Sequence, residues 1–313
     1  MFLFAVDNEM TEYIPHVFTN LPVLFILDVS NHVKPVEVSS IRPDYDFMLG
    51  AMKLTGNTLY IAATTYLWLI DVSDPSNPKE ITKFKHEGFA PVGCILWENY
   101  AYIDNYRMVF TQVDVTDPSN PILIGDLPDI SIKPRLVRGF GARLFDYVAT
   151  GEEAGVHILD ISNPDSVKEI GYYAMPAVLI ADSPVGRVWD IAVSGNYMYL
   201  AASYDEYSSS VQIIDISDIA TPFEIGRIDV PGLIEGYIQI SGQYAYVTVV
   251  TRGPSIATLK VLDVTNPKNP IFAGHIDVGY SIPSGYSPLF TVLGDYCYQF
   301  TRDNNNIEIL KIK

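Results

Sequence analysis

Short apolar runs broken by polar turns fill this chain, and one such arrangement returns six times. The segment VDVTDPSNPILIG, residues 113 to 125, has relatives in FILDVSN, WLIDVSDPSNP, HILDISNP, QIIDISDIATP and KVLDVTNPKNP. Their shared aspartates are Asp28, Asp71, Asp114, Asp160, Asp215 and Asp263. Spacings of roughly 43 to 55 residues are the signature of stacked repeats. Near the end, IEILKIK (307–313) fits the same strand with Lys311 where the aspartate should stand.

Each unit predicts four short strands, A to D. In the fifth they are RVWDIAVSGN, YMYLAAS, VQIIDIS and FEIGRI. SGN, SGQ, TGN and LGD supply the Gly and Asn that a tight A–B turn needs. Strand C is apolar on both faces, as in LWLIDV and VHILDI, which fits a sheet covered on both sides. Strand B is rich in Tyr and β-branched residues. No stretch of useful length carries a helical period.

Units of four strands that cannot bury both faces alone predict an all-β β-propeller. The strand order gives the first unit B, C and D, and the last A, B and C, with five complete units between. The expectation is therefore seven four-stranded antiparallel blades, the first and last three-stranded, with six or eight as the alternative. All of residues 1–313 then form a single domain.

Six equivalent aspartates around a ring cannot all serve one reaction. Strand C must end and reverse, the prolines remove some N–H groups, and the remaining turn amides need acceptors. A carboxylate such as Asp114 accepts them in an Asx-type turn. The aspartates are thus expected to be architecture. Tyr60, Tyr102, Tyr147, Tyr199, Tyr246 and Tyr298 hold one repeated place in strand B and are expected to pack between blades.

The run of apolar residues, Asp, Ser or Thr, (N/D)P and NP, preceded by a G(N/D)YAYV-like segment, resembles the LVIVD repeat of bacterial and archaeal proteins. The resemblance spans the chain, departing at GARLFDYV in unit four and at the missing aspartate of unit seven. It implies the propeller fold and an extracellular or cell-envelope location. It implies no reaction.

Charge narrows the partners. The chain has 37 acidic and 20 basic residues, a net charge of −17 and a pI near 4.5. Nucleic acid, which rewards Lys and Arg, is an unsuitable partner, and anionic membrane surfaces are disfavoured. Apolar content of 48% suits a packed globule, and no run reaches the ~18 residues of a membrane span. The opening MFLFAV is short, with no basic segment before it, so it does not read as a signal peptide. Two cysteines, Cys94 and Cys297, are too few for a disulfide framework and read as buried thiols.

Function is sought in what is not repeated. In propellers the B–C loops and the starts of strands A share one mouth of the channel. There the sequence places Asp46, Arg138, Arg187, Trp189, Asp190, Glu235 and Tyr237, joined by Tyr204, Asp205 and Glu206 of one B–C loop. Charges of both signs with aromatics suit a polar ligand such as a glycan or a peptide; the competing reading is that they pair to seal the channel. Acidic loop residues (Asp7, Glu9, Asp104, Glu152, Glu153, Asp303) read first as a solvated surface of an acidic protein, with a rim for a cation or a basic partner as the functional alternative.

Catalytic motifs are absent: there is no G-x-S-x-G, P-loop, H-E-x-x-H or G-x-G-x-x-G. The five histidines share no ligand spacing, and no EF-hand loop occurs. No catalytic residue, cofactor or metal is expected. The leading reading is a non-catalytic binding or scaffolding propeller that recognises a protein or glycan. The alternatives are a polysaccharide hydrolase or lyase using two mouth carboxylates, from among Glu152, Asp190, Asp205 and Glu235, and a structural subunit of a surface assembly.

Overall fold

The computed structural model describes residues 2–7, 23–43, 49–63, 65–86, 89–105, 110–127, 136–140, 142–150, 153–175, 179–180, 183–184, 187–203, 208–251, 256–281, 289–301 and 306–312. Every strand in them pairs antiparallel with a neighbour in sequence, as short polar turns between apolar runs require. The first sheet holds β1 (Phe2–Asp7), β2 (Val23–Asp28) and β3 (Val36–Ile41). The second holds β4 (Leu49–Thr55), β5 (Thr58–Ala63), β6 (Tyr66–Asp71) and β7 (Lys79–Lys85), and the third β8 (Phe89–Trp97), β9 (Tyr100–Asn105), β10 (Phe110–Asp114) and β11 (Ile122–Asp126). The fourth holds β12 (Leu136–Phe140), β13 (Arg143–Thr150), β14 (Glu153–Asp160) and β15 (Lys168–Ala174). A two-stranded hairpin follows, β16 (Leu179–Ile180) with β17 (Ser183–Pro184).

The fifth sheet is β18 (Arg187–Ser194), β19 (Tyr197–Ser203), β20 (Ser208–Asp215) and β21 (Phe223–Pro231); the sixth is β22 (Leu233–Ser241), β23 (Tyr244–Thr251), β24 (Ile256–Asp263) and β25 (Ile271–Ser281). The last has three strands, β26 (Leu289–Leu293), β27 (Tyr296–Thr301) and β28 (Asn306–Lys311). One 3-10 turn, Pro164–Ser166, is the only helix among the described residues. The chain divides into two compact units, Met1–Pro134 with Ile161–Val167, and Arg135–Asp160 with Lys168–Lys313.

Within each unit the period-two alternation of the second strands assigns each face to a different core. Leu59, Ile61 and Ala63 of β5 pack with the first sheet's Leu24 and Ile26, whereas Tyr60 and Ala62 pack with Ala101, Ile103 and Val113 of the third. In the other unit Met198, Leu200 and Ala202 of β19 face Phe145, Val156 and Ile158 of the fourth sheet; Tyr199 and Ala201 face Val247 and Val249 of the sixth. A sheet buried on both faces explains why its strands read as continuous apolar runs. The repeated tyrosines Tyr60, Tyr102, Tyr199, Tyr246 and Tyr298 are buried. Burial raises the pKa of each phenol, that of Tyr102 to about 12. Tyr60, Tyr199 and Tyr246 pack between neighbouring sheets as expected; the side chain of Tyr147 lies outside the described residues.

The turn after the third strand is built the same way each time. Asp28, Asp71, Asp114, Asp215 and Asp263 each accept, on Oδ1, the amide two residues on, at 2.8–2.9 Å. Three residues later Asn31, Asp74, Asp117, Asn163, Asp218 and Asn266 repeat the device at 2.9–3.2 Å. The carbonyls of those second residues then accept the amide three residues on. Two Asx turns in tandem therefore close five of the reversals without a helix, and in the fourth Asn163 caps the 3-10 turn Pro164–Ser166. The aspartates lie at the half-exposed end of the strand rather than in the core. Their architectural role stands.

A bulge accompanies each turn. In every repeat the ladder between third and fourth strands slips one or two residues before the aspartate, giving the fourth strand an extra residue, and in the sixth it slips a second time between Ile256 and Thr258. In the first, fourth and fifth repeats the residue after the bulge lies beneath the turn of the next repeat. Ser39 Oγ donates to the Pro75 carbonyl at 2.6 Å, and Gly171 and Gly226 occupy the same place under the carbonyls of Ile219 and Pro267.

Candidate functional site

The first strands β12, β18 and β22 of consecutive sheets lie side by side, and six of the expected mouth residues fall on them. Arg138 is on β12, Arg187, Trp189 and Asp190 on β18, and Glu235 and Tyr237 on β22. The side chains of Arg138, Arg187 and Glu235 lie outside the described residues, as do Asp46, Tyr204, Asp205 and Glu206 altogether. Glu9, Glu152 and Asp303 of the acidic B–C loop residues lie outside them too; Asp7 ends β1, Asp104 is the last residue but one of β9 and Glu153 begins β14. The geometry of the site therefore rests on Trp189, Asp190 and Tyr237.

First strands are irregular here. Their ladders with the second strands slip between Val188 and Asp190 in β18 and between Ile234 and Ile238 in β22, with like shifts in β4 and β8. Such bulges re-aim side chains at the rim of a sheet. In β22 the excursion is three residues, Glu235–Gly236–Tyr237, with Gly236 at φ 129°. That conformation excludes an ordinary side chain.

Both ends of the excursion are held from the fifth sheet. Asp190 is 2% exposed; its Oδ1 accepts the Ile191 amide at 2.7 Å and its Oδ2 the Ile238 amide at 2.9 Å. At the other end the Ile234 amide donates to Ser209 Oγ at 2.9 Å and the Ile234 carbonyl accepts from Ser203 Oγ at 3.0 Å. Trp189 Nε1 donates to Ser203 Oγ at 3.1 Å, so the half-buried indole is committed to the same clamp. Tyr237, between these ends, is 41% exposed. The arrangement displays an aromatic ring on a backbone fixed at both sides, which lowers the ordering cost of binding.

Asp190 was singled out in the sequence both as a ligand contact and as a candidate acid. The structure gives its two oxygens to backbone amides of two strands. Ser203 and Ser209 are not singled out by the sequence, because one ends a strand and the other lies in the loop segment YDEYSSS; only the pairing of sheets five and six reveals them. Among the described residues no group of three or more His, Cys, Asp or Glu is gathered as metal ligands. No helix among them is long and apolar enough to cross a membrane, which says nothing of a β-barrel.

With this geometry in place, comparison with known proteins adds the following. The family described as LVIVD repeat matches residues 22–42, 51–85, 94–128, 145–175, 185–230 and 236–278. No curated protein matches the sequence. Among solved structures, the periplasmic gluconolactonase PpgL of Pseudomonas aeruginosa is similar with a TM-score of 0.64 at 12% identity, over 89% of this chain and 83% of that one. A putative 6-phosphogluconolactonase from Bacteroides fragilis gives 0.62 at 12%, over 88% and 81%. AztD of Citrobacter koseri gives 0.55 at 12%, over 93% and 89%. At such identity the likeness carries the fold alone, and the fold is an all-β β-propeller.

The expected count of seven blades does not hold. Six repeats are matched, which was the alternative count, and the sheet β26–β28 lies outside every matched segment. The physical reason is in its sequence: Lys311 stands where the other units have the aspartate that closes the turn.

Proposed function

This chain belongs to the LVIVD-repeat family, and from that premise we propose that it is a non-catalytic binding or scaffolding propeller. Residues 1–313 act as one domain, and the rim built by the first strands and the B–C loops recognises a protein or a glycan. Asp46, Arg138, Arg187, Tyr204, Asp205, Glu206 and Glu235 belong to that rim in this reading, with Tyr237 as its rigid aromatic contact. The family resemblance favours an extracellular or cell-envelope setting.

The observation that carries the reading is the clamp. A buried carboxylate and two buried hydroxyls serve to fix a backbone excursion whose exposed residue is aromatic. Aromatic rings on pre-organised backbone are what binding hot spots use. A glycosidase needs two carboxylates about 5 to 9.5 Å apart, one of them free to deliver a proton; Asp190 is engaged on both oxygens by amides. The gluconolactonase named among the similar structures keeps the hydrolase alternative in view, with no residue carried over at 12% identity.

The test is a binding screen of the whole chain against neutral glycans and envelope proteins, repeated with Tyr237→Ser, with reducing-end release measured on every glycan. Binding weakened by the substitution at an unchanged melting temperature is the expected result. Glycan cleavage that Asp190→Asn abolishes would replace this reading with the hydrolase.

A further inference from the structure

We propose that β11, the outer strand of the third sheet, is a docking edge for an added β-strand from a partner protein, apolar and flanked by Lys or Arg. This surface is separate from the first strands discussed above and does not depend on them.

The repeats supply their own control. The residue of the fourth strand opposite the one before the turn aspartate is Glu37, Glu80, Glu169 or Glu224 in four repeats. Three of these carboxylates reach back over their own sheet, to Trp68 and Lys83, to His157 and to Arg227. A charge at an outer strand is how sheets discourage unwanted pairing. In the third repeat that residue is Leu123. With its neighbours it makes three successive exposed apolar side chains, Ile122 at 54%, Leu123 at 43% and Ile124 at 52%.

An outer strand turns every second pair of backbone N–H and C=O groups away from its sheet, and apolar side chains beside them complete a strand-addition site. Charge selects the occupant. Exposed Asp117 and Asp126 flank the apolar run, and the chain carries −17 overall. Two copies paired through β11 would set like charges together, whereas a cationic strand gains from both flanks. The sixth repeat also lacks the glutamate, having Phe272 there, but Lys268 and His275 border that run, so the argument rests on β11.

The experiment uses the full chain and a fluorescein-labelled peptide of alternating Val and Lys, compared with the same peptide carrying a central Pro, read by anisotropy. The expected result is saturable binding of the first peptide only, roughly tenfold weaker in Leu123→Glu. That substitution restores the residue found in four other repeats, so the melting temperature should hold. It also adds negative charge, so a loss of cationic peptide cannot be electrostatic. Equal binding by the variant, equal binding of the Pro peptide, or no binding at all overturns the proposal. Sedimentation showing a wild-type dimer that Leu123→Glu dissolves overturns it in favour of a second copy.

Discussion

Gly226 lies beneath the carbonyl oxygen of Pro267, so close that a Cβ on it would fall well inside the 3.0 Å that real Cβ atoms keep. Gly171 stands in the same relation to Ile219. Both contacts are between a fourth strand and the following turn, so they lock one repeat onto the next. Gly226→Ala should cost about 1–3 kcal/mol through overpacking. Gly274 is the matching residue of the sixth repeat, with nothing within 4 Å; there the same substitution should be neutral or gain about 0.4–1 kcal/mol from the unfolded chain. Denaturant titration of the two variants side by side checks both signs. Equal effects would mean that the close approach is not what the glycine serves.

How much of this was legible beforehand depends on how local each contact is. The Asx turns were readable because Asp71 and Ser73 are two residues apart and the pattern recurs. The alternating cores were readable because strand side chains alternate. The bulges were not, since a slip exists only relative to a partner strand: nothing in FEIGRI says that Ile225 is the extra residue. The Asp190 clamp was missed for the same reason. Its partner Ile238 lies 48 residues away on another sheet, so Asp190 looked like a free acid. The blade count failed where strand pattern and repeat chemistry part company, at a unit that keeps strands but has Lys311 for aspartate.

Glu98 has φ 49° and is the one described non-glycine residue with positive φ. It sits in the turn after a first strand, where Gly56, Gly195, Gly242 and Gly294 stand at φ 57–60° in other repeats. An L-residue there costs roughly 1–2 kcal/mol, while Gly loosens the unfolded chain and returns part of that. Glu98→Gly should therefore stabilise the protein by about 0.5–1 kcal/mol, raising the melting temperature. A fall would show that the Glu98 side chain makes a contact that outweighs its backbone strain.

The turn carboxylates make the fold acid-sensitive. Side-chain and backbone hydrogen bonds from Ser30 hold Asp28 below the ordinary value of 3.8, and Ser217 does the same to Asp215. Ser76 and Thr265 act likewise on Asp74 and Asp263, and for Asp71 the Ser73 amide is the larger cause. A pKa lowered by folding means stability fully present above the unfolded value and lost as pH falls through the folded one. Melting temperature should thus be flat near neutrality and drop below 3.8. Asp71→Asn keeps an acceptor for the Ser73 amide and should shallow the acid limb; Asp71→Ala should lower stability at every pH. An acid limb unchanged in Asp71→Asn would detach the sensitivity from these turns.

Cys297 is buried without exposure, and burial alone pushes its thiol up to about 12. The nucleophile in thiol chemistry is the thiolate, so the native protein should leave Cys297 unlabelled by a disulfide reagent near neutral pH and release it only on unfolding. Cys94, 9% exposed, should follow it more leakily. Rapid labelling of Cys297 in the folded state would mean that the last sheet opens locally.

Replacing Asp190 separates architecture from chemistry at the rim. Asp190→Ala removes the acceptor of the Ile191 and Ile238 amides, and each orphaned buried donor costs about 1–3 kcal/mol. Asp190→Asn keeps one acceptor oxygen but turns an N–H group toward the second amide, so it should fall between Ala and wild type. Amide hydrogen exchange gives the local readout. Ile234 and Ile238 should be protected in wild type, and Ile238 should lose protection in Asp190→Ala. Ile234, held by Ser209, should keep most of its protection in Asp190→Asn. If Ile238 stays protected in Asp190→Ala, the excursion that displays Tyr237 is fixed by something other than Asp190, and the clamp falls as the basis of the binding site.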